Sequence, residues 1–201
     1  MFIWSAIAHL LAVTSPGPDT ALVIRQVARK GRLSGFYSAI GIGVGVFIHS
    51  LLASSGISLL LLSDTNLKFA ITLLGALYLI YIGLSSFIPA SSGGENQNIR
   101  EYDTSAFFRG LLTNLLNIKA LIFFVSLFTI IIDSLAGIWL LIYPIYFGLV
   151  TSAWFSFLSY MLTTPKINIV FNKHSDTIDK ISSIFLLVIG LLILINLFYV
   201  N

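Results

Sequence analysis

Near the start of the chain, inside an otherwise apolar stretch, stand Ser15, Pro16, Gly17, Pro18, Asp19 and Thr20. Two prolines so close together cannot both sit in an intact helix. Pro16 and Pro18 donate no N–H to the carbonyls of Ala12 and Thr14, and Gly17 lets the backbone turn between them. In a membrane, broken backbone is tolerated only where it is buried in protein or lines a watery cavity. A half-helix restarting at Pro18, a favoured first position, would aim the N–H groups of Asp19, Thr20 and Ala21 into such a cavity. A helix start of this kind attracts a carboxylate, while the freed carbonyls and the Asp19 side chain suit an ammonium group. An amino-acid zwitterion carries both. An Asp inside an apolar run costs roughly 2.5 to 3.5 kcal/mol on insertion scales and is a functional candidate by default. As such, Asp19 is a candidate proton-coupling group. The bland alternative is a simple kink, with Asp19 capping the next helix near the membrane interface.

Two further groups of residues carry polar chemistry inside apolar sequence. Gly41, Gly45, His49 and Ala53 recur at intervals of four, which places them on one helix face as a small-residue packing stripe. His49 on that stripe faces protein, either as a hydrogen-bonded structural side chain or as a proton relay. His9 is similarly ambiguous and is expected nearer the outer rim. Farther on, Asn114 and Asn117 share a helix face, whereas Lys119 is rotated about 140° from Asn114 on a regular helix. All three converge on one site only if that helix is broken. If the span starts at Gly110, Lys119 lies about 13 Å in and needs a partner such as Asp19. If the span starts nearer Asn117, Lys119 snorkels to the rim. Separately, the alternative for the two Asn residues is interhelical hydrogen-bonding glue.

The elements that must position these residues follow from composition and hydropathy. Of 201 residues 57% are hydrophobic and only 9% charged, against about 25% charged in soluble domains. So few charges cannot cover an aqueous surface, but they suffice for the two rims of a bilayer protein. Apolar runs cover residues 2–24, 35–62, 69–88, 110–162 and 181–200, and the fourth must be divided near Asp133 and Ser134. The expectation is an all-α integral membrane protein of about six transmembrane helices, the first of them broken, with five as the alternative. Residues 163–180 read as a loop. The chain is read as a single transmembrane domain, residues 1–201. It has a first half (1–88), a flexible cytoplasmic linker at 89–105 with a Ser-Ser-Gly-Gly centre, and a second half (106–201).

Nine of the eleven basic residues fall on one side of this plan: Arg25, Arg29, Lys30, Arg32, Arg100, Arg109, Lys166, Lys173 and Lys180. By the positive-inside rule that side is cytoplasmic, which puts both termini outside. Three spans per half make the second half begin on the opposite side of the membrane from the first. This topology permits a 3+3 inverted repeat with a site near the midplane.

Other classes fall away. There is no Cys, so thiolate metal sites and cysteine nucleophiles are excluded, and there is no P-loop to cradle ATP. The net charge of +3 lies in short connections, as membrane orientation requires, and does not point to nucleic acid. His9, His49 and His174 fall in three different segments and no H-E-x-x-H is present, so neither a metal site nor an enzyme is expected. The start of the chain lacks a basic region and an A-x-A-like site, so a cleaved signal peptide is not expected.

Taken together, Ser15-Pro16-Gly17-Pro18-Asp19, Gly31, Gly35, Gly41, Gly45, the run Gly75-Ala76-Leu77-Tyr78-Leu79 and Gly83 resemble the lysine exporter (LysE/RhtB) superfamily. The second half adds Phe108-Arg109-Gly110, Asn114, Asn117, Lys119 and Phe123-Phe124. The resemblance implies a bacterial inner-membrane carrier that expels amino acids or close derivatives in exchange for protons and needs no cofactor. It implies that Pro16, Gly17, Pro18 and Asp19 lie near the transport path and that Asn114, Asn117 and Lys119 belong to the matching second-half motif. Ile118 departs from the family, which usually has Pro there, and 125–132 lacks the usual Pro-Gln. A non-transporting membrane partner would explain the hydrophobicity and the glycine stripe, but not the Pro-Gly-Pro-Asp. The stripe serves equally within one subunit or between the copies of a homo-oligomer.

Overall fold

The computed structural model describes residues 2–57, 63–84, 87, 104–131 and 137–199. Among these the chain is helical: α1 (Phe2–Thr14), α2 (Pro18–Lys30), α3 (Arg32–Ser54), α4 (Thr65–Leu84), α5 (Thr104–Leu115), α6 (Ile118–Ile131), α7 (Trp139–Leu162), α8 (Pro165–Lys173) and α9 (Ser175–Tyr199). Helices α3, α4, α7 and α9 are each long and apolar enough to cross a membrane. The pairs α1/α2 and α5/α6 do so jointly, bent by 52° and 56° at their breaks. The fold is thus all-α and multi-pass, as its composition requires.

Contacts between helix ends show that both bent pairs run the full length of the bundle. Arg32, at the start of α3, donates to the Thr163 hydroxyl and carbonyl just past the end of α7. Phe2, at the start of α1, instead meets Trp139 and Tyr143 at the start of α7, with ring centroids 6.4 and 5.4 Å apart. The α1/α2 pair therefore begins at one end and finishes at the other. By the same reasoning Phe69 in α4 lies 5.8 Å from Phe198 in α9, while Gly83 at the far end of α4 abuts Ser183 and Leu187 early in α9. Six crossings result, with both ends of the described chain at the end away from Arg32.

The central helix is α3, and its glycines let it approach α5 and α7 closely. A Cβ on Gly41 would strike the Phe107 carbonyl of α5, and one on Gly43 would strike Ser152 and the Gly148 carbonyl of α7. The predicted stripe thus serves packing within one chain. The sharp link from α2 to α3 needs glycine for a different reason: Gly31 sits at φ 80°, where its N–H returns to the Val27 carbonyl at 2.9 Å. Three apolar clusters fill the interior. One joins α3, α6 and α7 through Val46, Phe128 and Phe147. The second joins α2, α3 and α7 through Val23, Ile42 and Phe155, and the third joins α2, α4 and α9 through Leu22, Leu79 and Leu186.

Two sequence expectations are corrected. The stretch 163–180 is not a loop: Pro165 opens a short helix, α8, the Thr164 carbonyl accepts the Asn168 N–H at 2.7 Å, and Phe171 is buried. Its charges masked a helix start that proline at the first position favours. Arg25 does not lie in a short connection between spans either. It is 4% exposed inside α2 and donates to Asp179 of α9 at 3.0 Å, an ion pair that compensates a buried charge. The linker expected at 89–105 lies outside the described residues except for Thr104 and Ser105, which open α5, and so does the division at Asp133 and Ser134.

Candidate functional site

The two helix breaks face one another. At the first, Thr14 turns its hydroxyl back to the Leu10 carbonyl at 2.8 Å to close α1, Gly17 caps α2 in extended backbone, and Pro18 takes the first helical turn. Only Asp19 and Thr20 present N–H groups beyond the helix, because the Ala21 N–H bonds to the Gly17 carbonyl at 3.0 Å. Of the three N–H groups expected to face the cavity, that of Ala21 is thus taken up within the helix.

The second break forms without a proline. Asn117 replaces it by capping: its Oδ1 accepts the Lys119 N–H at 3.1 Å, and its own N–H returns to the Asn114 carbonyl at 2.9 Å. His49 Nε2 meets that same carbonyl at 2.9 Å from α3. His49 therefore stands behind Asn114, supporting the freed end of α5, and does not line the cavity.

Each break places a charged residue second in its resumed helix, and each charge reaches across to the other break. Asp19 Oδ2 accepts from Asn114 Nδ2 at 2.9 Å and from Asn117 Nδ2 at 3.1 Å. Lys119 Nζ donates to the Ser15 hydroxyl at 2.9 Å and to the Ser15 carbonyl at 3.3 Å. Breaking the second helix brings Lys119 to the same site as the asparagines. Of the residues singled out from the sequence, Gly17, Asp19, Asn117 and Lys119 line a common cavity of about 60 Å³. Asn114 holds Asp19 from behind, and Pro16 and Pro18 shape the break without lining the cavity.

Sequence reasoning missed part of the wall. His9, expected near the rim, is 3% exposed and lines the cavity, with Nε2 3.0 Å from the Thr151 hydroxyl of α7. Its ring rests on Phe147 at 4.7 Å, and Phe123, Phe124 and Phe155 complete an aromatic wall. The available signal for Thr151 was a lone threonine within an apolar helix, which gave no indication of its cross-helix partner. Two buried atoms in this cavity, Asp19 Oδ1 and His9 Nδ1, have no hydrogen-bond partner among the described residues. Polar atoms shielded from water and left unpaired are costly. Among the described residues no cluster of His, Cys, Asp or Glu could hold a metal.

Two broken helices meeting at a small cavity, polar at the breaks and otherwise apolar, within an all-α bundle define a polytopic membrane protein of the discontinuous-helix kind. The LysE type translocator family matches residues 10–197, and the chain belongs to that family. Among its relatives, an uncharacterized membrane protein of Bacillus subtilis (strain 168), YrhP, is 30% identical over 193 residues, covering 90% of this chain and 92% of that protein. The threonine efflux protein of Salmonella typhimurium (strain LT2) is 29% identical, covering 89% of this chain and 90% of its own. That of Escherichia coli (strain K12) is 28% identical with the same coverage. No solved structure matches the chain.

Proposed function

We propose that this protein exports a small amino acid, or a close derivative, across the bacterial inner membrane in exchange for protons, with its arginine-rich end in the cytoplasm. The observation that carries the reading is the unpaired, shielded Oδ1 of Asp19 in a cavity that also holds the Lys119 ammonium and the start of α2. The substrate ammonium group pairs with Asp19. Its carboxylate pairs with Lys119 and the N–H groups of Asp19 and Thr20. The cavity is small and its far wall is aromatic, which favours a short side chain of no net charge. Asp19 carries either a proton or the ammonium group, never both, and that exclusion makes the exchange obligatory. The threonine efflux proteins among the relatives are in keeping with such a substrate. The two bent pairs form the corresponding first spans of two inverted three-span halves, 1–88 and 106–201, joined by a cytoplasmic linker.

The test is efflux from proteoliposomes loaded with a panel of labelled amino acids, with and without a pH gradient, and with Asp19→Asn in parallel. Wild type is expected to release one or a few small neutral amino acids faster under the gradient. Asp19→Asn should insert normally, because a neutral amide lowers the insertion cost, yet show no acceleration by the gradient. Gradient-driven efflux by the variant at the wild-type rate would refute the role of Asp19. Failure of wild type to move any amino acid would refute the substrate class.

A further inference from the structure

A second cavity, of about 470 Å³ and far larger than the first, opens between α2, α4 and α5 toward the arginine-rich end of the bundle. Among the described residues that line it, three are arginines, Arg25, Arg29 and Arg109, and none is Asp or Glu. Asp179 answers part of this charge from behind: it accepts from Arg25 Nε at 3.0 Å and lies 4.0 Å from Arg29 Nε. Among the described residues one carboxylate faces three guanidinium groups. All three line the same cavity, so they are gathered and not merely scattered along a rim. Membrane orientation requires only that basic residues lie on one side; it does not require them to enclose a cavity.

The walls between the arginines narrow the ligand chemistry. Tyr78 and Tyr81 bring phenol groups from α4, while Phe108 and Leu112 of α5 are 56% and 43% exposed beside them. Tyr81 itself is 68% exposed. Planar guanidinium groups bind phosphate oxygens two at a time. Aromatic side chains with exposed apolar neighbours are what a bilayer interface presents. We infer that this cavity binds a phosphate group, that of an anionic phospholipid whose acyl chains lie along Phe108 and Leu112, as basic pockets between membrane helices do for lipid headgroups. The site is separate from the one that holds Asp19, and it does not depend on what the protein transports.

The experiment reads lipid retention by native mass spectrometry, together with the thermal midpoint, on purified full-length protein. The protein is exchanged into phosphatidylglycerol or phosphatidylcholine micelles, with and without millimolar inorganic phosphate. Wild type is expected to retain phosphatidylglycerol selectively and to melt higher in it than in phosphatidylcholine. Arg109→Gln should weaken the retention about fivefold, the expected contribution of one arginine at an anionic interface. Arg29→Gln, whose side chain is 38% exposed and tolerates change, provides a second variant should the first fold poorly. If inorganic phosphate alone raises the melting point and displaces the lipid, the site stands and its ligand is a soluble phosphate. Equal retention of the two lipids by wild type and both variants, with no response to phosphate, would overturn the inference.

Discussion

Lys119 and Asp19 occupy the same position in two different half-helices, and each is stabilised by the opposite break. Asp19 takes two amide donors from Asn114 and Asn117, which leaves one carboxylate oxygen unused. Lys119 takes the Ser15 hydroxyl and the Ser15 carbonyl, the latter freed because α1 ends at Thr14. A substrate carboxylate entering the cavity competes for that ammonium. Lys119→Gln is therefore expected to raise the apparent KM for the exported amino acid about tenfold or more, the loss of one charged contact. It should leave unchanged the weaker transport of the same compound with its carboxyl group esterified. Comparing acid and ester in wild type and variant separates the two effects. An equal loss for both would mean that Lys119 holds the break closed and takes no part in recognition. These polar residues were legible in the sequence because charge and amide side chains are rare within apolar runs. Their pairing was not, because Asp19 and Asn117 are far apart in the chain and only tertiary packing joins them.

At the scale of the helix the question is what makes a span stop and resume. The first break announces itself through two prolines that cannot donate to the preceding turn. The second has none, and a regular helix read through Asn114, Asn117 and Lys119 would send Lys119 away from the amides. Side-chain capping by Asn117 is a local hydrogen bond with no period, so hydropathy could not reveal it. Helix α8 was missed for the complementary reason: lysines and asparagines interrupt its apolar residues, and its start is marked only by Pro165. Ile118 is the first residue of α6, where an N–H has no carbonyl to reach within the helix. Proline is favoured at that position, and the extended backbone usual for a capping residue is compatible with a proline after it. Ile118→Pro is therefore expected to keep transport intact and to stabilise the protein by about 0.4 to 1 kcal/mol, as a compatible proline does. Thermal unfolding in detergent checks it. A fall in the melting point together with lost transport would mean that Asn117 needs a helical backbone to cap α6, contrary to the role assigned here.

For the molecule as a whole, the arrangement of ends decides topology more firmly than hydropathy does. A bent helix pair is compatible with either a span or a re-entrant loop. If α5/α6 returned to its own side, then α7 would finish at the end opposite Arg32, yet Arg32 is bonded to Thr163 just beyond α7. If α1/α2 returned, Phe2 would lie beside the arginines, yet it stacks among Trp139, Tyr143 and Tyr146 at the other end of α7. Six crossings follow, with Phe2 and Tyr199 at one end of the bundle and Arg25, Arg29 and Arg32 at the other. The positive-inside rule then predicts that the arginine end faces the cytoplasm. Reporter fusions test both steps independently. Alkaline phosphatase fused after Asn201 should be active and a fluorescent protein at the same point dark, whereas fusions truncated after Lys173 should show the reverse. Matching signals at the two points would contradict the crossing of α9. Opposite signals with the order inverted would leave the six crossings standing and would overturn only the assignment of sides, with export becoming uptake unless the coupling gradient also reversed.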